Sequence, residues 1–237
     1  MIDKNKSIEE IVIEEIDEEC GYKVHIDNIL KKVKTNNDIF WLFLIKALVT
    51  DKLFASALHI IDVKKSLFLK KHIYEDLIIY EIICIRETTY LYKKKEMDKL
   101  CKLSNEIPSY KTTQLILKME CAIIKGNLLN FRNLVEDNLD YIQKLPIIHL
   151  LNIYELSIFS ELGYLQNEIE KLLKNNDIAT YNGKEEYNIY KLLNALKIRN
   201  IFEFLKATHL LKNYDFRHIK WYLHKKKDKE LIAYLES

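Results

Sequence analysis

The chain has 237 residues, 49% hydrophobic and 30% charged, a balance that excludes a disordered segment and supplies enough apolar surface for a sizeable core. A formal net charge of +2 is too small to draw the whole molecule to nucleic acid. Four glycines and two prolines leave little punctuation, so long helices joined by short turns are expected; the many Ile, Lys, Asn and Tyr residues read as AT-rich codon bias rather than strand propensity.

In chain order, residues 1–21 carry eight acids against Lys4 and Lys6, which predicts an acidic leader with a helix over 7–20. Amphipathic segments follow at 25–34, 37–49, 52–62, 66–71 and 73–93. The apolar run "IFWLFLIKALV" is interrupted by Lys46 and is too short to cross a bilayer. With no secretion signal either, the sequence predicts a soluble, cytoplasmic protein with no membrane partner. Cys20, Cys84, Cys101 and Cys121 form no CxxC pair, so reduced, mostly buried thiols are expected.

Helices over 95–105, 110–125 and 128–143 come next. Leu115, Met119, Ala122 and Ile123 fall on one stripe, and Phe131, Leu134, Val135 and Ile142 on another. Gly126-Asn127 between them reads as an elbow, because a phosphate loop needs several glycines, a lysine and a preceding strand. A second elbow is expected at Glu161-Leu162-Gly163-Tyr164, between helices 147–163 and 165–174. Its glycine lies 37 residues after Gly126, near the period of helix-pair repeats. "KNNDIATYNGKEE", Lys174 to Glu186, reads as a hinge or exposed loop. Helices over 184–197, 199–212, 215–224 and 227–235 complete the chain, and residues 197–229 hold ten bases against Glu203, Asp215 and Asp228.

The expected fold is all-α: one helical-repeat domain spanning 1–237, a right-handed superhelix of antiparallel helix pairs of tetratricopeptide or HEAT type. Residues 199–237 form its basic capping helices.

The search for chemistry returns no catalytic constellation. The seven histidines make no HExxH, and His218 and His224, flanking Trp221, read as surface or cap residues. Neighbouring carboxylates such as Glu185-Glu186 point apart on a helix. The reading is of a non-enzymatic protein with no cofactor and no metal site. The basic "RHIKWYLHKKKDK" interleaves aromatics, as single-stranded nucleic-acid binders do, yet it reads first as a terminal helix whose Trp221 caps the core.

A polar and aromatic stripe is more informative. Tyr187, Tyr190, Asn194 and Lys197 share one helix face, and Asn152, Glu155 and Phe159 occupy nearby positions on an earlier helix. An asparagine carboxamide matches a peptide bond in donor and acceptor, so these seven residues are the candidate peptide-binding set. At the C-terminus Leu231, Ile232 and Leu235 form a stripe with nothing after it. Together with Trp221 it predicts a homodimer interface.

The segments "YEDLIIYEIICIRET", "KEMDKLCKL", "LILKMECAIIKGNLLNFRNLVEDNLD" and "IIHLLNIYELSIFSEL", ending in "FLKATHLLKNYDFRHIKWYLHKKKDKELIAYLES", resemble the helical-repeat portion of the arbitrium peptide receptors. "NIYELSIFSELGYLQNEIEKLLKN" is also similar to the C-terminal region of Rgg-type regulators. The resemblance, over residues 40–237, implies a tetratricopeptide-like superhelix, a short secreted peptide as ligand and a homodimer. Asn152 matches the family's peptide-gripping asparagine; Ser157 stands where a basic residue is expected. The family's N-terminal DNA-binding unit has no counterpart, which points to action on a protein partner. A helical scaffold or phage-encoded inhibitor without a peptide ligand is the alternative, and a nucleic-acid binder comes third.

Overall fold

A computed structural model describes residues 29–31, 33–88, 94–212 and 214–236. The predicted leader helix, Cys20 and His25 lie outside the described residues. Among those described, every regular element is a helix, as the scarcity of Gly and Pro implies. The chain divides into two compact units, residues 1–89 and 90–237, each with its own core, where the sequence reading expects one domain. The segment "TYLYK" at 89–93 contains neither glycine nor proline, so composition gives no mark of the division.

The first unit holds α1 (Asp38–Thr50), α2 (Phe54–Lys64), a 3-10 turn (Lys65–Leu67) and α3 (Lys71–Thr88). Asn37 caps α1 by accepting the Ile39 N–H at 3.0 Å. Trp41, Ile45 and Leu48 from α1 pack with Ile60 and Ile61 from α2 and Leu77 from α3. The helix expected at 66–71 is this 3-10 turn, because Phe68 leaves helical geometry before α3 begins.

The second unit contains α4 (Lys94–Leu103), a 3-10 turn (Ser104–Glu106), α5 (Lys111–Ile124), α6 (Leu128–Glu136), α7 (Leu139–Ile142) and α8 (Ile147–Ser160). It continues through α9 (Gly163–Asn175), a 3-10 turn (Ile178–Tyr181), α10 (Glu185–Lys197), α11 (Ile201–Leu210), α12 (Arg217–Lys226) and α13 (Lys229–Glu236). The Gly126 elbow is present. Gly126 has φ +72°, its N–H donates to the Ile123 carbonyl, the Asn127 N–H donates to that of Ala122, and the Asn127 side chain caps α6.

The second elbow differs from expectation. Glu161, not Gly163, adopts the left-handed conformation (φ +59°), and Gly163 starts α9. Arg199 and Lys227 turn the α10–α11 and α12–α13 corners in the same way, at a conformational cost of roughly 1–2 kcal/mol each. A glycine-poor chain therefore bends at charged residues, which composition does not announce. The segment 174–186 is largely exposed, as expected, and a 3-10 turn within it buries Ile178.

Cys101 of α4 and Cys121 of α5 are joined by a disulfide with Cα atoms 6.0 Å apart, correcting the expectation of reduced thiols. Their separation of 20 residues hid a pair that the α4–α5 packing brings face to face. Cys84 in the first unit stays free and buried, and burial pushes its thiol up to about 11.

Candidate functional site

Helix α8 organises the second unit. Every residue from Ile153 to Ser160 is buried, with α5, α9 and α10 packed against the helix. Such all-round burial explains why the apolar period of "IIHLLNIYELSIFS" is weak. Its polar side chains leave in two directions: Tyr154 reaches toward α9 and α10, whereas Glu155 and Phe159 reach the α12 region. The seven candidate peptide-binding residues are therefore not one set. Asn152 is exposed, and Ser157, which the resemblance aligns with a basic residue, is buried and donates to the Tyr154 carbonyl at 2.7 Å.

Toward α10 the structure builds a continuous row. The Tyr154 hydroxyl donates to Asn194 Oδ1 at 2.6 Å. Lys197 Nζ donates to Glu170 Oε2 at 2.8 Å and to Asn167 Oδ1 at 3.0 Å, and Lys174 holds the other oxygen of Glu170 at 2.6 Å. The Tyr190 ring lies 6.2 Å from Tyr154 and 6.3 Å from Tyr187, and the Lys191 ammonium sits over Tyr187. Burial raises the pKa of Glu170, but its bonds to Lys174 and Lys197 outweigh this and leave it below the usual carboxylate value. Burial, then the Glu170 charge, pushes the Tyr154 phenol upward, so it stays a donor. Tyr187, Tyr190, Asn194 and Lys197 are half-buried, and the polar atoms of Asn194 and Lys197 are held by hydrogen bonds.

Toward α12 the arrangement is sealed. His218 Nδ1 lies 3.0 Å from Glu155 Oε2 and its Nε2 lies 3.1 Å from Glu120 Oε1, so one imidazole bridges α8 and α5. Glu120 is 0% and Glu155 4% exposed. Each ring nitrogen of this imidazole thus faces a carboxyl oxygen from a different helix. The Tyr214 hydroxyl donates to Glu155 Oε1 at 3.0 Å, and burial followed by the Glu155 charge holds that phenol well above its ordinary value. Beside it, burial raises Asp215, but the hydrogen bonds from Arg217 prevail and lower it. The expectation of a surface or cap histidine is thus corrected. His218 stands 98 residues from Glu120 and 63 from Glu155, beyond any helical period. The one signal available was an acid, Glu120, set inside the apolar "LILKMECAII".

Phe159 stacks on Tyr222 with centroids 4.7 Å apart and has Trp221 at 6.2 Å, so it serves packing between α8 and α12. Trp221, Ile232 and Leu235 pack onto the unit's own core, in which Leu231 is buried. Of the residues offered as a dimer interface, Leu231 is thus buried, while Trp221, Ile232 and Leu235 keep part of their surface exposed. The aromatics of the basic segment are likewise engaged: Phe159 contacts Trp221 and Tyr222, while Lys225 lies over Trp221.

Where the ends of α8, α10, α11, α12 and α13 meet, a cavity of ≈ 350 Å³ opens. Its walls include the buried Ile158, Leu196, Phe204, Leu223 and Leu231. Lys197, the last residue of the α10 row, also lines it.

Among the described residues no group of three or more His, Cys, Asp or Glu could hold a metal ion, and no helix is long and apolar enough to cross a membrane. Comparison with family models, with curated proteins and with solved structures finds no match. What the fold and site define is a class: an all-α chain whose second unit carries a half-exposed polar row above a mixed-polarity cavity.

Proposed function

We propose that the chain is a regulatory protein that takes up a short peptide along α10 and passes the change to a protein partner. The observation that carries this reading is the Tyr187–Tyr190–Asn194–Lys197 row, in which Tyr154 fixes Asn194, Asn167 and Glu170 fix Lys197, and the tyrosine rings lie against one another. With its oxygen bonded to Tyr154, the Asn194 carboxamide keeps its NH2 as a donor for a peptide carbonyl. The tyrosine faces suit the side chains between peptide groups. A preorganised row of this kind binds without first ordering its own side chains. The arbitrium-receptor resemblance, the tetratricopeptide-like superhelix, the cytoplasmic setting and a homodimer belong to the same proposal. Within that proposal the half-buried Trp221, Ile232 and Leu235 remain the candidate dimer surface.

Selection of displayed random peptides on the full chain, followed by titration calorimetry, tests the reading. Asn194→Ala is expected to weaken the selected peptide about tenfold or more, the effect of a lost hydrogen bond of 1–3 kcal/mol, with the helical circular dichroism unchanged. Equal affinity for both proteins removes the row from the binding site. A second reading, a protein-docking scaffold without peptide, is favoured by exposed apolar side chains around α11: Ile198 (69%), Phe202 (73%) and Leu210 (58%). Failure of any peptide to be selected, with a partner lost on Phe202→Ser, decides for the scaffold.

A further inference from the structure

The cavity at the foot of the α10 row has a charge pattern that the row does not require. Its buried walls are apolar, while its charged lining residues are Lys197, Arg199, Lys226, Glu161 and Asp228, an excess of one positive charge. Two ion pairs sit there: Lys226 with Glu161, and Arg199 Nη2 with Asp228 Oδ2 at 3.1 Å. The Lys226–Glu161 pair is half-exposed, and the Arg199 side chain is 79% exposed. The Lys226–Glu161 pair is exposed enough to be weak, so an incoming anion can displace Glu161 at little cost, while Asp228, 17% exposed, stays on Arg199. Arg199 has five N–H donors and commits one of them to Asp228, which leaves its planar fork able to take a second carboxylate. Glu161 and Arg199 are also two of the corners where L-residues adopt positive φ, which places both residues at the mouth of the cavity.

The geometry points to a binding site for a free carboxylate carried on a compact apolar group, the carboxylate on Arg199 and Lys226 and the apolar group against Phe204, Leu196, Leu223 and Leu231. At ≈ 350 Å³ the cavity lies at the small end of the range for ligand sites, about 300–1,000 Å³. Two sources share this chemistry: the C-terminal residue of a peptide, which rests on the reading proposed above, and a free aryl- or alkyl-carboxylic acid, which does not. Lys197 belongs to both the row and the cavity, so a peptide lying along α10 would bring its terminus here.

Titration of the full chain with N-acetyl-Leu-Phe, its C-terminal carboxamide and 4-phenylbutyrate tests the site. The free acid of the dipeptide is expected to bind at least about tenfold more tightly than its amide, the scale of one charge-assisted contact. Arg199→Gln and, separately, Lys226→Gln should erase that difference while leaving amide binding and helical content unchanged. Tighter binding of the dipeptide acid than of phenylbutyrate assigns the site to a peptide terminus; the reverse order assigns it to a free acid. Equal binding of acid and amide overturns the proposal, as does persistence of the preference in both variants or no binding of either acid at millimolar concentration. A selected peptide whose affinity depends on Asn194 but not on its terminal carboxylate keeps the α10 reading and removes this one.

Discussion

The two sides of α8 handle polar groups in opposite ways. Toward α10, Tyr154 and Glu170 anchor a row whose outer atoms face solvent, with Lys174 and Lys197 supplying charge from flexible stems. Toward α12, Glu120 and Glu155 are withdrawn from water and share one imidazole, with Tyr214 as a further donor to Glu155. The exposed Lys174 loses little when it leaves Glu170, whereas removing a partner from the buried Glu120 or Glu155 costs several kcal/mol. The sealed side is therefore suited to fixing α12 in place and the open side to exchanging partners with a ligand.

The largest effect should come from breaking the sealed side. His218→Ala removes the imidazole that joins two buried carboxylates and is expected to destabilise the second unit by about 3 kcal/mol in urea unfolding. Tyr154→Phe on the open side should cost only about 1 kcal/mol, that of one hydrogen bond. Similar losses in both variants would erase the contrast between the two sides.

Close in size is the covalent tie next to Glu120. Cys101→Ser with Cys121→Ser removes the α4–α5 disulfide and should cost about 3 kcal/mol for a loop of this length. Thiol alkylation and mass spectrometry of the unmodified chain check the pairing; two alkylatable thiols at those positions under non-reducing conditions would refute it.

The acid limb of the stability curve sharpens the open side. Glu170 is held below its usual value of 4.5, so its contribution is fully present above that pH and is lost as pH falls through the lowered folded value. Lys197→Met removes part of the cause. It should lower the melting temperature modestly at neutral pH and flatten the fall below pH 4.5, the two proteins converging once Glu170 is protonated. An identical acid limb in both proteins would mean that Lys197 does not hold Glu170 down.

The smallest expected effect is at a corner that touches neither side. Lys227 sits at φ +58° with its side chain exposed, and Lys227→Gly should raise stability by about 1 kcal/mol through relief of left-handed strain. A loss instead would show that its aliphatic stem contributes packing.

The helices were legible because 3.6-residue periodicity, capping asparagines and scarce glycine are local properties. Segments 110–125 and 184–197 fall within two residues of α5 and α10. Corners made by Glu161, Arg199 and Lys227 were not legible, since nothing in a charged residue marks a positive φ. The α10 half of the candidate site could be read because its members share one helix face. Glu155 and Phe159 were assigned to the same set by proximity in sequence, and only packing showed that α8 turns them toward α12.

By itself, then, the sequence determined an all-helical chain, the elbow at Gly126 and the stripe on α10, each set by interactions within one or two helical turns. Tertiary structure alone decided the split at residue 89, the Cys101–Cys121 pair, the inward placement of Leu231 and the Glu120–His218–Glu155 bridge. Those features join residues that are distant in sequence. Their energies come from burial and charge pairing, which depend on what else is packed nearby and leave no period in the chain.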